Sequence, residues 1–383
     1  MRRLLMIPGP TNVPDRILKA MAKPMINHRG SEFHDLQERI VDGLKYAFQT
    51  KADVYALTCS GTGGVEAAIF NVVDEGDEVI VPVGGVFAER MAEEVKSAGG
   101  RVVEVPLRWG GAVKASQVEE ALESHPGAKA VALVYNETST GATARELRKI
   151  GELTHRRGVL LIVDAISILG GDELKVDDWH IDICIAGSQK CLACPPGLAL
   201  ISVSPRAWKV MEERRARRSF YFDLLACRRF HEERKETPFT PALPLYFALD
   251  EALKMLREEG LERRIERHRR CASALYEAFE SMKLSLLADP EARSNTVIAV
   301  EYPPGVDDAK FRAAMRDEFG VEVAGGMGKL RGRIFRVGSM GVVSAEDVLA
   351  TVEAAAKSLA KQGYKASVEE ALEAARRALK LGA

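Results

Sequence analysis

At 383 residues and 41.9 kDa the chain is too long for one small core, so two domains are expected. Lys+Arg 54 against Asp+Glu 55 leaves a net charge of −1, which removes any bulk electrostatic case for nucleic acid or membrane binding. The first seven residues meet Pro8-Gly9-Pro10 before a signal-peptide core can form, no run approaches transmembrane length, and the six cysteines sit among apolar or small residues as reduced thiols would; a cytoplasmic protein is expected.

Helical periodicity opens at 32–48. Short apolar runs at 54–57, 78–83, 101–105, 130–135, 159–163, 181–186 and 198–203 then read as strands. Amphipathic stretches at 65–73, 88–98, 117–123 and 144–156 read as the helices between most of them. Continuously apolar strands alternating with helices predict an α/β fold, a mostly parallel sheet covered on both faces. Ligands of such sheets bind beyond the carboxyl ends of the strands. The pattern assigns 1–260 to a large domain with an N-terminal arm. A charged helix at 261–282 leads into a smaller α+β domain, 261–363, with strands at 296–301 and 334–337 and helices at 308–319 and 345–361. The last stretch, 364–383, reads as an extra amphipathic helix with an N-cap at Ser367, packed on the body or on a partner. The basic runs 214–218 and 228–229 read as solvated faces, and Cys191 and Cys194, a CxxC pair without a second pair, as small packing residues.

The chemistry gathers at the predicted strand ends. Gly187-Ser188-Gln189-Lys190 follows one strand, and Asp164 ends another. A lysine between buried strands is either a desolvated amine kept for chemistry or a snorkelling surface residue; an acid at a second strand end favours the first. Lysine and acid together are the pair that a pyridoxal phosphate (PLP) site requires. The lysine bonds the cofactor aldehyde and shuttles the substrate proton, while the carboxylate keeps the pyridine nitrogen protonated. Cys59-Ser60-Gly61-Thr62-Gly63-Gly64 follows a strand and opens a helix, so Thr62, Gly63 and Gly64, with the Gln189 side chain, are candidate phosphate donors. The loop lacks the GxGxxG spacing of a dinucleotide site, and it reads equally as a tight βα turn. Phe87 is placed to stack on the cofactor ring, and periodicity alone would also allow it as plain core.

Six ordered motifs carry a resemblance over residues 4–362: Pro8-Gly9-Pro10-Thr11-Asn12, Ser60-Gly61-Thr62-Gly63-Gly64, Asn136-Glu137-Thr138-Ser139-Thr140-Gly141, Val163-Asp164-Ala165, Gly187-Ser188-Gln189-Lys190 and Arg336-Val337-Gly338. Together they resemble the class V aminotransferases, and within them the alanine/serine–glyoxylate (serine–pyruvate) group. The resemblance implies a fold type I PLP-dependent transferase and a homodimer with active sites at the subunit interface. It implies that Lys190 carries the cofactor, Asp164 partners the pyridine nitrogen, Thr138 bonds the ring hydroxyl and Phe87 stacks on the ring. It further implies that Gly9 lines the substrate pocket with its backbone and that Arg336 clamps the substrate α-carboxylate. The last role has a physical rationale of its own, since a guanidinium fork matches a carboxylate bidentately. Gly64 stands where some relatives carry histidine, and Phe87 where some carry tryptophan. The stretch Glu236-Thr237-Pro238-Phe239-Thr240-Pro241 resembles the segment that reaches the neighbour's phosphate, through Thr240 or Thr237. The helix after about Gly363 has no counterpart in this picture.

The expected activity is amino transfer from serine or alanine to glyoxylate or pyruvate. Alternatives on the same scaffold are 2-aminoethylphosphonate transamination and cysteine desulfuration, for which Cys227 is the conceivable nucleophile, or a non-catalytic PLP-fold scaffold. The substrate neighbourhood is expected to hold no second basic group, unless Arg217, Arg218 or Arg228 folds over it.

Overall fold

Seven runs dominated by Val, Ile, Leu and Ala form one sheet. They are β1 (Asp53–Thr58), β2 (Glu78–Val83), β3 (Arg101–Pro106), β4 (Ala130–Val134), β5 (Leu160–Asp164), β6 (Ile183–Gly187) and β7 (Leu198–Val203). In this computed structural model, which describes residues 3–214 and 218–380, the strand order is β1-β7-β6-β5-β4-β2-β3. Strand β7 runs antiparallel to both its neighbours, and every other pairing among β2 to β6 is parallel, as the apolar strands predict. Residues of β4, β5 and β6 are almost entirely buried, with two apolar clusters divided between the faces. One cluster gathers Phe33, Leu36 and Ile40 of the helix Ser31–Phe48 (α2, after a short α1 at Asp15–Met21) with Leu249 and Leu253. The other gathers α3 (Gly61–Val72) and α4 (Val86–Ser97).

Helices α5 (Ala115–Ser124) and α6 (Leu147–Arg157) fall within a few residues of the predicted ones. The largest displacement is α3, which starts at Gly61 rather than 65, and α4 starts at Val86 rather than 88. Its first turn is capped from a distance, by a side chain that no local pattern reveals. Three further helices, α7 (Pro205–Glu213), α8 (Leu224–Arg234) and α9 (Leu243–Glu259), fill a stretch to which the sequence reading assigns no element.

Helix α10 (Leu261–Ser281) begins one residue after α9 ends, across Gly260 at φ +84°, a left-handed value that favours glycine. Beyond it, β8 (Val297–Glu301), β9 (Ala324–Gly325) and β10 (Ile334–Gly338) form an antiparallel sheet in the order β8-β10-β9. Helices α11 (Asp308–Asp317) and α12 (Ala345–Ala360) share a third apolar cluster with α10. Helix α13 (Val368–Leu379), the extra amphipathic helix, buries Ala371, Ala375 and Leu379 in that cluster. Its N-cap is Ser367, whose side chain accepts from the Glu370 N–H at 3.2 Å. Residues 381–383, the end of that expectation, lie outside the described residues. No described helix is long and apolar enough to cross a membrane.

Candidate active site

The carboxyl ends of β4, β5 and β6 open onto a cleft of about 670 Å3, its mouth included. Six of the residues singled out from sequence line it: Thr62, Phe87, Thr138, Asp164, Gln189 and Lys190. They arrive on five different pieces of chain, Gln189 and Lys190 together, which is how strand ends of a parallel sheet assemble a site.

Lys190 lies three residues past β6, with its Nζ donating to the Pro8 carbonyl at 2.5 Å. Burial lowers its ammonium from 10.5 to about 8; the Arg336 charge adds to that, while Cys191 and Asp164 oppose it. Gly9 packs so tightly here that a Cβ would come within 2.6 Å of the lysine Cδ. The N-terminal arm therefore forms a wall of the lysine site, and the glycine is a steric requirement. Asp164 ends β5 fully enclosed, and burial pushes its carboxyl from 3.8 up to about 7. The Ile166 N–H, donating at 2.8 Å, and the Lys190 charge pull the other way, while the Glu137 charge adds to the rise. An acid and an amine are thus brought toward each other's range near neutrality.

The loop 60–64 forms the first turn of α3. Gly63 donates to the Ser60 hydroxyl at 3.4 Å, and Gly64 to the Ser60 carbonyl at 3.2 Å. Those two N–H groups already have acceptors within the turn, so Thr62 is the member of the trio that faces the cleft. Gly64 has no room for a side chain, because a Cβ would lie 2.8 Å from Ala199 Cβ and from Ile185 Cγ2.

Arg336 on β10 is not among the residues lining the cleft. It is buried beside it, donating to the carbonyls of Thr138 and Gly325, each at 2.9 Å. Burial lowers its guanidinium to about 10, with Glu137 opposing. Thr237 and Thr240 lie elsewhere. They line a separate pocket with Tyr55, Tyr221, Cys227 and Phe239, where the Thr237 hydroxyl donates to the Phe239 carbonyl at 2.7 Å and Thr240 is exposed. Cys227 is buried in α8, and burial raises its thiol to about 12; it is not on the mobile polar loop that desulfuration needs. Arg218 donates to the Ala98 carbonyl and Arg228 pairs with Glu212 and Glu232, both away from the cleft; Arg217 lies outside the described residues. Among the described residues no group of His, Cys, Asp or Glu could hold a metal ion.

Sequence reasoning missed three residues. The carboxylate of Glu137, buried in the loop after β4, accepts from the N–H groups of Phe87 (3.3 Å), Ala88 (3.0 Å) and Ser139 (3.0 Å), and from the Ser139 hydroxyl (2.6 Å). It is the distant cap of α4, holding Phe87 and Thr138 on one scaffold. Gly85 admits it, since a Cβ there would come within 2.4 Å of the Glu137 side chain. Arg90 and Glu94 line the cleft from the same helix, and Glu94 Oε2 is shielded from water with no hydrogen-bond partner. Burial, aided by the Asp164 charge, raises the Glu94 carboxyl to about 8. The signal for both was the spacing 87, 90, 91, 94, one face of a helix that starts at a strand end. Arg90 is a basic group that the sequence reading did not place at the cleft.

Comparison with known proteins agrees with this geometry. The family profile described as aminotransferase class-V matches residues 3–331. The chain is similar to an uncharacterized aminotransferase of Methanocaldococcus jannaschii, 44% identical over 97% of both chains. It is 34% identical to a serine–glyoxylate aminotransferase of Methylorubrum extorquens, over 95% of this chain and 92% of that one. Among solved structures, the ureidoglycine–glyoxylate aminotransferase of Bacillus subtilis superposes with a TM-score of 0.95 at 33% identity, covering 99% and 98% of the two chains. The residues present suit PLP: a desolvated amine, an enclosed acid opposite it, an aromatic wall, and a helix N-terminus with a hydroxyl at the far end. The chain belongs to the class V aminotransferases, and it is a PLP-dependent transaminase of fold type I.

Proposed function

We propose that this enzyme moves the amino group of a small L-amino acid, serine or alanine, to glyoxylate or pyruvate. The observation that carries the small-substrate reading is the crowding around Lys190. Gly9 leaves no space for even a methyl group, and the Pro8 carbonyl lies against the amine. The names of the serine–glyoxylate and ureidoglycine–glyoxylate relatives support the acceptor.

The cofactor, when bound, supplies the electron sink for the substrate α-carbon. Lys190 Nζ, its ammonium brought down to about 8 by burial, takes the proton from that carbon and returns it. Asp164, drawn back into its ionised form by a cationic ring, holds the proton at the pyridine nitrogen. Phe87 packs the ring face, Thr138 bonds the ring hydroxyl, and Gln189 joins Thr62 at the phosphate. Arg336 offers its fork to the α-carboxylate common to donor and acceptor. Thr240 reaches the phosphate of a second copy, for which its exposure and the inward-turned Thr237 hydroxyl speak. The homodimer is then a requirement of the site. Six free cysteines, mostly buried, suit a reducing cytoplasm. A panel of amino donors against glyoxylate, pyruvate and 2-oxoglutarate tests the reading. Serine or alanine with the two short acids should give the highest kcat/KM, and a preference for 2-oxoglutarate would overturn it.

A further inference from the structure

Arg90 has no role in the chemistry above, yet it stands in the cleft. It lies one turn beyond Phe87 on α4, with its guanidinium 5.0 Å from the centre of the Phe87 ring. Its Nη1 donates to the Thr62 hydroxyl at 3.3 Å. Arg90 and Lys190 are the two basic residues among those lining the cleft.

A bound phosphate monoester carries roughly −1.5 to −2 charges at neutral pH. The start of α3 answers with the equivalent of about +0.5. Gly63 and Gly64 have spent their N–H groups inside the turn, and Gly64 cannot carry a donor side chain against Ala199 and Ile185. Thr62 and Gln189 add neutral donors, and Lys190 is committed to the other end of the cofactor. Among the described residues, Arg90 is therefore the one that can bring a full positive charge to the phosphate end. Its reach is already set, because its guanidinium bonds the same hydroxyl that faces the phosphate position. The Phe87 ring beneath restricts it further, and the backbone that carries that ring is held by Glu137.

We propose that Arg90 is the cation that reads the phosphate of the cofactor, so that this chain tells a 5′-phosphorylated pyridoxal from the unphosphorylated one. The inference rests on the PLP assignment of the cleft. The competing role is purely structural, with Arg90 merely packing on Phe87 to hold the ring wall.

The two roles separate by ligand. Pyridoxal shares the aldehyde, ring and hydroxyl of PLP and lacks only the phosphate. Apoenzyme of the full chain is titrated with each compound, and dissociation constants are read from absorbance and intrinsic fluorescence. Arg90→Gln should weaken PLP by about 10- to 100-fold, the range of a lost charge-assisted hydrogen bond, and change pyridoxal by less than about twofold. Inorganic phosphate should compete with PLP on the unaltered protein and lose most of that effect in Arg90→Gln. Arg90→Lys keeps the charge without the fork and should fall between, which also covers a Gln variant that fails to fold. Equal weakening of PLP and pyridoxal, or none of either, would overturn the proposal. Failure of the unaltered apoenzyme to bind PLP would instead overturn the reading of the cleft.

Discussion

Two pockets of this chain, the cleft and the smaller pocket beside residues 236–241, both bury titratable groups. Their electrostatics differ in kind. In the second pocket burial raises the Cys227 thiol to about 12 and pushes the Tyr55 and Tyr246 phenols above their ordinary values, so all three stay neutral at physiological pH. In the cleft an amine is lowered to about 8 and a carboxyl raised to about 7, so both change protonation near the working pH. Burial is common to the two. What distinguishes the cleft is that an acid and a base are buried within reach of each other's field. The second pocket is shaped instead by aromatic surfaces, with Tyr221 and Phe239 stacked at 5.2 Å and Phe220 85% exposed beside them. That composition suits contact with another protein surface better than chemistry.

The sharpest way to break this contrast is to neutralise the acid while keeping its shape. Asp164→Asn should still bind PLP, because the ring wall, Thr62 and Lys190 remain. It should lose roughly 100-fold or more in the single half-reaction with serine or alanine, since an amide cannot hold the ring nitrogen protonated. Stopped-flow half-turnover, with bound PLP measured separately, reads the two effects apart. Near-normal half-turnover would place the working acid elsewhere.

How much of this contrast was legible in the sequence follows from where each residue sits. Lys190 and Asp164 were legible because a charge at the end of a continuously apolar strand has few structural reasons to be there. The sheet was legible for the same cause, since buried parallel strands cannot hide among polar residues. Arg90 and Glu94 were obscured by the opposite rule. They sit among Glu89, Glu93 and Lys96, where a helix is expected to show charge, and only the packed position of α4 turns their side toward the cleft. Glu137 was named within a motif and given no role, because the helix start it caps, at Phe87 and Ala88, is about 50 residues away in the chain. Spacing alone could not choose between Thr237 and Thr240, because the hydrogen bond of the Thr237 hydroxyl to the Phe239 carbonyl is not readable from sequence.

A smaller effect tests the second pocket as a surface that completes a neighbour's site. Thr240→Ala should weaken PLP binding by about 1 kcal/mol, the scale of one lost hydrogen bond, and leave the dimer intact. Thr237→Ala should weaken it less, because that hydroxyl is already engaged with the Phe239 carbonyl. The reverse order would reassign the contact to Thr237. An active monomer by light scattering at assay concentration would remove the shared site altogether.

The smallest effect lies in the stability of the apoenzyme, where the buried groups of the cleft act with opposite signs. Asp164 and Glu94 have carboxyls raised from 3.8 and 4.5 to about 7 and about 8. An acid whose folded value is raised contributes stability that is fully present below its unfolded value and lost as pH climbs through the folded one. Both therefore weaken the empty cleft between about pH 4 and pH 8. Lys190 is lowered from 10.5 to about 8, so it restores stability as pH rises from about 8 to 10.5, where the unfolded chain would lose its proton. The contribution of the cleft should consequently pass through a minimum near pH 8. Scanning calorimetry of apoenzyme from pH 5 to 10 should show that minimum as a dip of a few degrees in Tm, on the order expected for about 1 kcal/mol. Glu94→Gln removes one of the two acids and should make the dip shallower on its acid side, while Arg336→Lys, outside the cleft lining, should leave its position unchanged. A Tm profile identical in Glu94→Gln and the unaltered protein would mean that Glu94 finds water or a partner in solution, and the electrostatic contrast between the two pockets would then rest on Asp164 and Lys190 alone.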